Sequence, residues 1–281
     1  MDQEVLASRE AVSRRRALAL GGTLGLGGML AAFGVNSAQA ATAPTTSSAI
    51  DAQIRALLKR SGACATSPEL TQGPYWFDVD SIRSDIRDGR PGTPLTLALR
   101  VLDVSGCSSA ARGTPIPNSV VEIWHCDAGG VYSGFESGST GQGAGPGGPP
   151  GSSGSGTTSS GSYSKGDQEA SPTDDGTYLR GAQLANAEGI VKFTTIHPGW
   201  YRGRTVHIHV RVHVNKRTVL TTQLFFDEAV NSAINASSPY RSHTGRDTYN
   251  SDDEIYSSAG IVSSVKQGKG YLGVHNLGVD P

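Results

Sequence analysis

The chain has 281 residues, 25 of them acidic and 24 basic, for a net charge of −1. Such a balance removes the broad electrostatic pull that draws proteins to nucleic acid or to anionic membrane, so a small-molecule partner is expected. With 37 glycines, only 17% charged residues and many Val, Thr, Ser and Pro, the composition argues against a helical protein and for one turn-rich all-β domain.

The first segment reads as a targeting signal. Ser13-Arg14-Arg15-Arg16 precedes the apolar, Gly-rich run 17–35, and Ala38-Gln39-Ala40 offers the small residues of a cleavage site. The paired arginines suggest the twin-arginine route. Residues 1–40 are therefore expected to be removed, leaving a mature, secreted chain that starts near Ala41 without a stable membrane anchor.

Residues 41–67 read as a Ser/Thr/Ala linker and a short helix, because Ile50, Ile54, Leu57 and Leu58 recur at helical spacing. From Thr71 onward the period changes to two. Leu95, Leu97, Leu99 and Val101 share one strand face, and Val120, Glu122 and Trp124 alternate with Val121, Ile123 and His125. Gly and Pro punctuate these runs, as tight antiparallel connections require. Segment 137–164 is low-complexity Gly/Ser/Pro and is expected to be a surface excursion. Further strands are expected over 190–196, 205–214 and 218–226. The predicted fold is an antiparallel β-sandwich spanning 68–228, with 229–281 a polar extension of the same domain.

Three cysteines in an exported chain allow one disulfide. If 95–104 and 119–125 form a hairpin, Cys107 and Cys126 lie too far apart to bond. The favoured pair is Cys64 with Cys107, although spacing alone leaves the pairing open.

The most informative stretch is Val206-His207-Ile208-His209-Val210-Arg211-Val212-His213-Val214. On a strand the even positions turn to the core, while His207, His209, Arg211 and His213 point the other way. Imidazoles two residues apart on one face sit about 7 Å from each other, close enough to hold one metal ion. His213 lies about 13 Å from His209 on the same geometry, which argues against a third shared histidine ligand if the partner is reckoned from the strand rise alone.

Around this strand stand Thr71-Gln72-Gly73-Pro74-Tyr75, Val121-Glu122-Ile123-Trp124-His125-Cys126-Asp127-Ala128-Gly129-Gly130-Val131-Tyr132, Ile196-His197-Pro198-Gly199-Trp200-Tyr201-Arg202-Gly203-Arg204 and Leu220-Thr221-Thr222-Gln223-Leu224. In this order the set closely resembles the intradiol ring-cleavage dioxygenases, the catechol and protocatechuate dioxygenase family, over roughly 71–227. The resemblance implies a β-sandwich of the intradiol type with a short N-terminal helix. It implies an iron(III) ion held by Tyr132, Tyr201, His207 and His209, with Tyr201 the ligand that leaves when substrate binds. Phenolate is a hard anionic donor that favours iron(III) over softer divalent ions, and the metal must lower the tyrosine pKa from about 10 for the bond to exist.

The implied partners are a catechol-type aromatic and O2. The metal activates the ring toward O2, and the product is a muconate-type diacid. Arg204 would stabilise anionic stages by a fixed positive charge, and Gln223 would hydrogen-bond near the ligands. Export in the folded state suits an enzyme that takes up its metal before leaving the cytoplasm. Tyr178 reads as structural, and His125 and His197 as supporting or turn-capping residues. Only five residues separate Tyr201 from His207, fewer than in most cytoplasmic members, so one wall of the pocket is expected to be rebuilt. Oligomeric state stays open, a homodimer included. The rival readings are a copper or zinc protein whose tyrosines merely pack, and an exported polysaccharide-binding module.

Overall fold

A computed structural model describes residues 47–61, 64–107, 113–139, 158–159, 162–163 and 167–281. The expected signal segment and most of the Gly/Ser-rich insert lie outside the described residues. Two sheets face each other. The first is ordered β10 (Ser263–Gln267), β11 (Gly270–Val279), β1 (Pro94–Asp103), β2 (Thr114–Pro115), with β7 (Ile190–Ile196) also paired to β1. The second is ordered β6 (Arg180–Leu184), β3 (Val120–Trp124), β8 (His207–Val214), β9 (Arg217–Phe225). A two-residue ribbon, β4 (Thr158–Ser159) with β5 (Asp167–Gln168), stands apart from both.

The alternation read from the sequence explains the sandwich. Leu95, Leu97, Leu99 and Val101 of β1 meet Val121 and Ile123 of β3 and Ile208, Val210 and Val212 of β8 in one buried core. Each such side chain contributes about 1.5–3 kcal/mol relative to exposure. The opposite face of the first sheet is covered by α1 (Ser47–Arg60), which buries Ile54 and Leu58, one turn apart, against Ala98, Leu272 and Val274.

Two features differ from the sequence expectation. β1 and β3 do not form a hairpin: β1 pairs with β2, β7 and β11, whereas β3 pairs with β6 and β8 in the other sheet. The disulfide is nevertheless Cys64–Cys107, with Cα atoms 5.5 Å apart, and Cys126 is free and buried. The polar tail also enters the fold. β11 lies parallel to β1 through nine paired positions, Leu95↔Tyr271 to Asp103↔Val279, whereas the other pairs among the described strands are antiparallel. A second helix, α2 (Glu228–Asn235), starts at Asp227, whose carboxylate accepts from the Ala229 backbone N–H at 2.8 Å.

The second sheet turns its histidine-bearing face away from the sandwich, yet that face is buried as well. Segment 71–77 crosses it, with the Trp76 ring 6.4 Å from Trp124 and the Arg211 guanidinium 3.9 Å from the Trp76 ring centre. Tyr163 lies 5.5 Å from the His213 ring. The result is an enclosed polar layer between the sheet and its covering segments. No described helix is long and apolar enough to cross a membrane.

Candidate functional site

Two tight turns carry the tyrosines. After β3, Asp127 accepts from Gly129 N at 2.8 Å and Val131 N at 3.1 Å, and Gly130 adopts φ +82°. A side chain at Gly130 would meet the Trp200 carbonyl at 2.5 Å, and one at Gly199 would meet the Asp127 and Ala128 carbonyls at 2.7 and 2.6 Å. These glycines let the two turns interlock, and Gly199 N donates to Asp127 O at 3.0 Å. Tyr132 and Tyr201 emerge side by side, ring centres 5.8 Å apart.

β8 supplies the imidazoles. His207 Nε2 lies 3.2 Å from His209 Nε2, 3.3 Å from Tyr201 Oη and 3.4 Å from Tyr132 Oη. His207 Nδ1 donates to the Thr205 carbonyl at 2.7 Å, which leaves the lone pair of Nε2 bare and turned toward the other three atoms. Donor atoms about 3–3.4 Å apart are what metal bonds of about 2.0–2.1 Å require around one ion. Two phenols and two imidazoles therefore fit a hard, highly charged cation such as iron(III). No group of three His, Cys, Asp or Glu side chains gathers among the described residues, so a metal here depends on the phenols.

The electrostatics point the same way. Burial, followed by the charge of Arg204, holds His207 and His209 well below the usual imidazole range, so both are neutral donors. Burial pushes both tyrosines well above their usual range, with Tyr201 adding to the effect on Tyr132 and Arg204 opposing it on Tyr201. Without a cation the phenols keep their protons. The walls are aromatic: Trp124 stacks on His209 at 5.0 Å and 6°, and Tyr75 on Tyr132 at 4.6 Å and 22°. Gly73, at φ +70°, brings the backbone of segment 71–77 against the His209 ring. Burial raises the Tyr75 pKa to about 12.

Arg204 and Gln223 lie beside this cluster and touch each other, Arg204 Nη2 donating to Gln223 Oε1 while Gln223 Nε2 donates to Thr71 O at 2.8 Å. Gln223 faces His209 across the β8–β9 pair. His213 is not drawn in; it sits 3.6 Å from Glu122. Tyr178 packs under the Arg90 guanidinium, 3.5 Å above its ring centre, outside the cluster. His125 hydrogen-bonds the Cys126 carbonyl and the Thr195 hydroxyl, each at 2.8 Å, which braces the turn after β3. The reading of the sequence missed Asp253. It accepts from Arg204 Nε at 2.9 Å with 1% of its side chain exposed, and nothing in the polar tail singled it out.

No protein-family profile matches the chain, and no curated protein does. Among solved structures it is 32% identical to an intradiol ring-cleavage dioxygenase from Tetranychus urticae, covering 78% of this chain and 96% of that one, with a TM-score of 0.62. A second dioxygenase structure is 31% identical over 78% of this chain and 95% of its own, also with a TM-score of 0.62. With nearly the whole of the mite enzyme spanned at that identity, the chain belongs to the intradiol ring-cleavage dioxygenases and is an oxidoreductase of that family.

Proposed function

We propose that this protein is a non-haem iron(III) dioxygenase that opens a catechol-type ring between its two hydroxylated carbons and releases a muconate-type diacid. The observation that carries the reading is the meeting of Tyr132, Tyr201, His207 and His209 around one point, from positions up to 77 residues apart in the chain. Those four residues would hold the ion. When bound, iron(III) supplies the electron-withdrawing centre that makes a catecholate reactive toward O2.

The chain's own groups do the rest. Tyr201 is 9% exposed against 0% for Tyr132 and 1% for each histidine, so it is the donor with room to swing aside. Its phenolate oxygen then takes up one catechol proton. Tyr132, locked under Tyr75, stays in place. Arg204 holds a fixed positive charge beside the cluster for the anionic stages of the ring, and Gln223 aligns it. Trp124, Tyr75 and the backbone at Gly73 keep water from the histidine and tyrosine donors.

Export by the twin-arginine route completes the proposal, motivated by Arg14 and Arg15 and supported by the Cys64–Cys107 disulfide, which suits an oxidising compartment. Lysine at both arginine positions should retain the protein inside the cell, and undiminished export would refute the route. For the activity, the iron-loaded protein should be wine-red from tyrosinate-to-iron(III) charge transfer. It should consume O2 with a panel of catechols and yield diacids identifiable by mass and ultraviolet spectrum. A colourless protein that binds zinc and leaves catechols intact would overturn it.

A further inference from the structure

We infer that Asp253 is a positioning residue that fixes the guanidinium of Arg204 for ring cleavage, an inference that rests on the function proposed above. The short link between Tyr201 and His207 is held from outside by segment 243–253. Asp247 Oδ1 accepts from Gly203 N at 3.0 Å, Arg246 Nη2 donates to Thr205 Oγ1 at 3.0 Å, and Thr205 Oγ1 donates to Asn250 Oδ1 at 2.7 Å. Asp253 Oδ2 takes two donors at once, Thr205 N and Arg204 Nε, both at 2.9 Å. Its other oxygen accepts from Ile255 N at 2.8 Å, so the carboxylate is itself held by its own turn. The wall that a short link leaves unbuilt is supplied by the tail of the chain.

The geometry at Arg204 makes this more than a brace. Asp253 grips Nε and Gln223 grips Nη2, and contacts at two different nitrogens set both the place and the plane of the guanidinium. Both partners are dry, with 6% of the Arg204 side chain and 1% of the Asp253 side chain exposed, so solvent does not compete for the fork. A charge that stabilises a developing anion works only if it is already in position, because a free arginine would have to be ordered during the reaction. Thr205 joins the two functions: its N–H donates to Asp253 while its carbonyl accepts a hydrogen bond from His207 Nδ1.

The test uses the iron-loaded full chain and a double-mutant cycle. Asp253→Asn removes the charge with little change of shape and should lower kcat by about 10–100-fold while KM, iron content and the visible band hold. Arg204→Lys removes the fork that Asp253 grips, so adding Asp253→Asn to it should cost no further activity. Should Asp253→Asn fail to fold, Asp253→Glu keeps the charge, displaces it by one methylene and carries the same cycle. An unchanged kcat, or an equal fold-loss in both backgrounds, overturns the inference and leaves Asp253 a brace of the tail. A parallel readout needs no turnover: the rate of Arg204 modification by phenylglyoxal, followed by peptide mass spectrometry, should rise in Asp253→Asn. If the wild type shows neither colour nor catechol-dependent O2 uptake, the proposed function fails instead. Equal phenylglyoxal rates in wild type and variant would then separately overturn the grip of Asp253 on Arg204.

Discussion

Acidification of the metal-stripped protein tests how dry the interior around the site is. His125 and His197 are 0% and 1% exposed. Burial lowers the pKa of His125 from 6.5 to about 4 and that of His197 to about 3, their backbone hydrogen bonds opposing the shift. A histidine held below its unfolded value adds stability that is complete above pH 6.5 and is lost as pH falls toward the folded value. Each pH unit below 6.5 is worth 1.36 kcal/mol per group, so at about pH 5 each histidine has withdrawn about 2 kcal/mol, together about 4 kcal/mol. His207 and His209 shift in the same direction once the metal is gone. Against a typical total of about 5–15 kcal/mol, the stripped protein should lose roughly a quarter to four-fifths of its stability by about pH 5. Urea unfolding followed by circular dichroism at about pH 7.5 and about pH 5 reads the difference directly if the slope is unchanged. A loss below about 1 kcal/mol would mean that protonated histidines are accommodated inside, and the reasoning from burial would fail.

Other perturbations address single features. Tyr201→Phe removes the most exposed of the four donors and should shift the visible band and lower kcat; an unaltered spectrum would take Tyr201 out of the donor set. Gly73→Ala places a methyl 3.1 Å from His209 Cε1 on a backbone at φ +70°. The left-handed conformation alone should cost about 1–2 kcal/mol in urea unfolding, with iron affinity falling as His209 is pushed; unchanged stability would show that segment 71–77 is loosely seated. Cys107→Ser opens a covalent loop spanning 43 positions and should lower the unfolding free energy by about 4 kcal/mol, an effect that reductant should reproduce in the wild type.

Much of the site was legible because its parts are local. Alternation along 206–214 places His207 and His209 on one face whatever the strand pairs with, since successive side chains on a strand must point to opposite sides. The Gly-Gly-Val-Tyr and Pro-Gly-Trp-Tyr segments were legible only through their resemblance to the family's motifs, and the structure supplies the physical reason for their glycines: Gly130 and Gly199 stand where any side chain would strike backbone. Helix α1 followed from Ile54 and Leu58. The choice of partners was not legible. Nothing in the alternation of β1 says that β11, some 170 residues later, lies parallel beside it while β3 joins the other sheet. Pairing is decided by which faces can be buried together in the finished core, a non-local matter.

The same division runs through the chemistry. The sequence by itself determined which donors are present and on which side of their strand or turn they lie, because those depend on backbone period and local sterics. Tertiary structure alone decided that the polar tail would deliver Asp253 to Arg204 across 49 positions, and that segment 71–77 would close over the histidine face. A carboxylate becomes a partner only when folding removes the water that would otherwise solvate it, and no local pattern records that event.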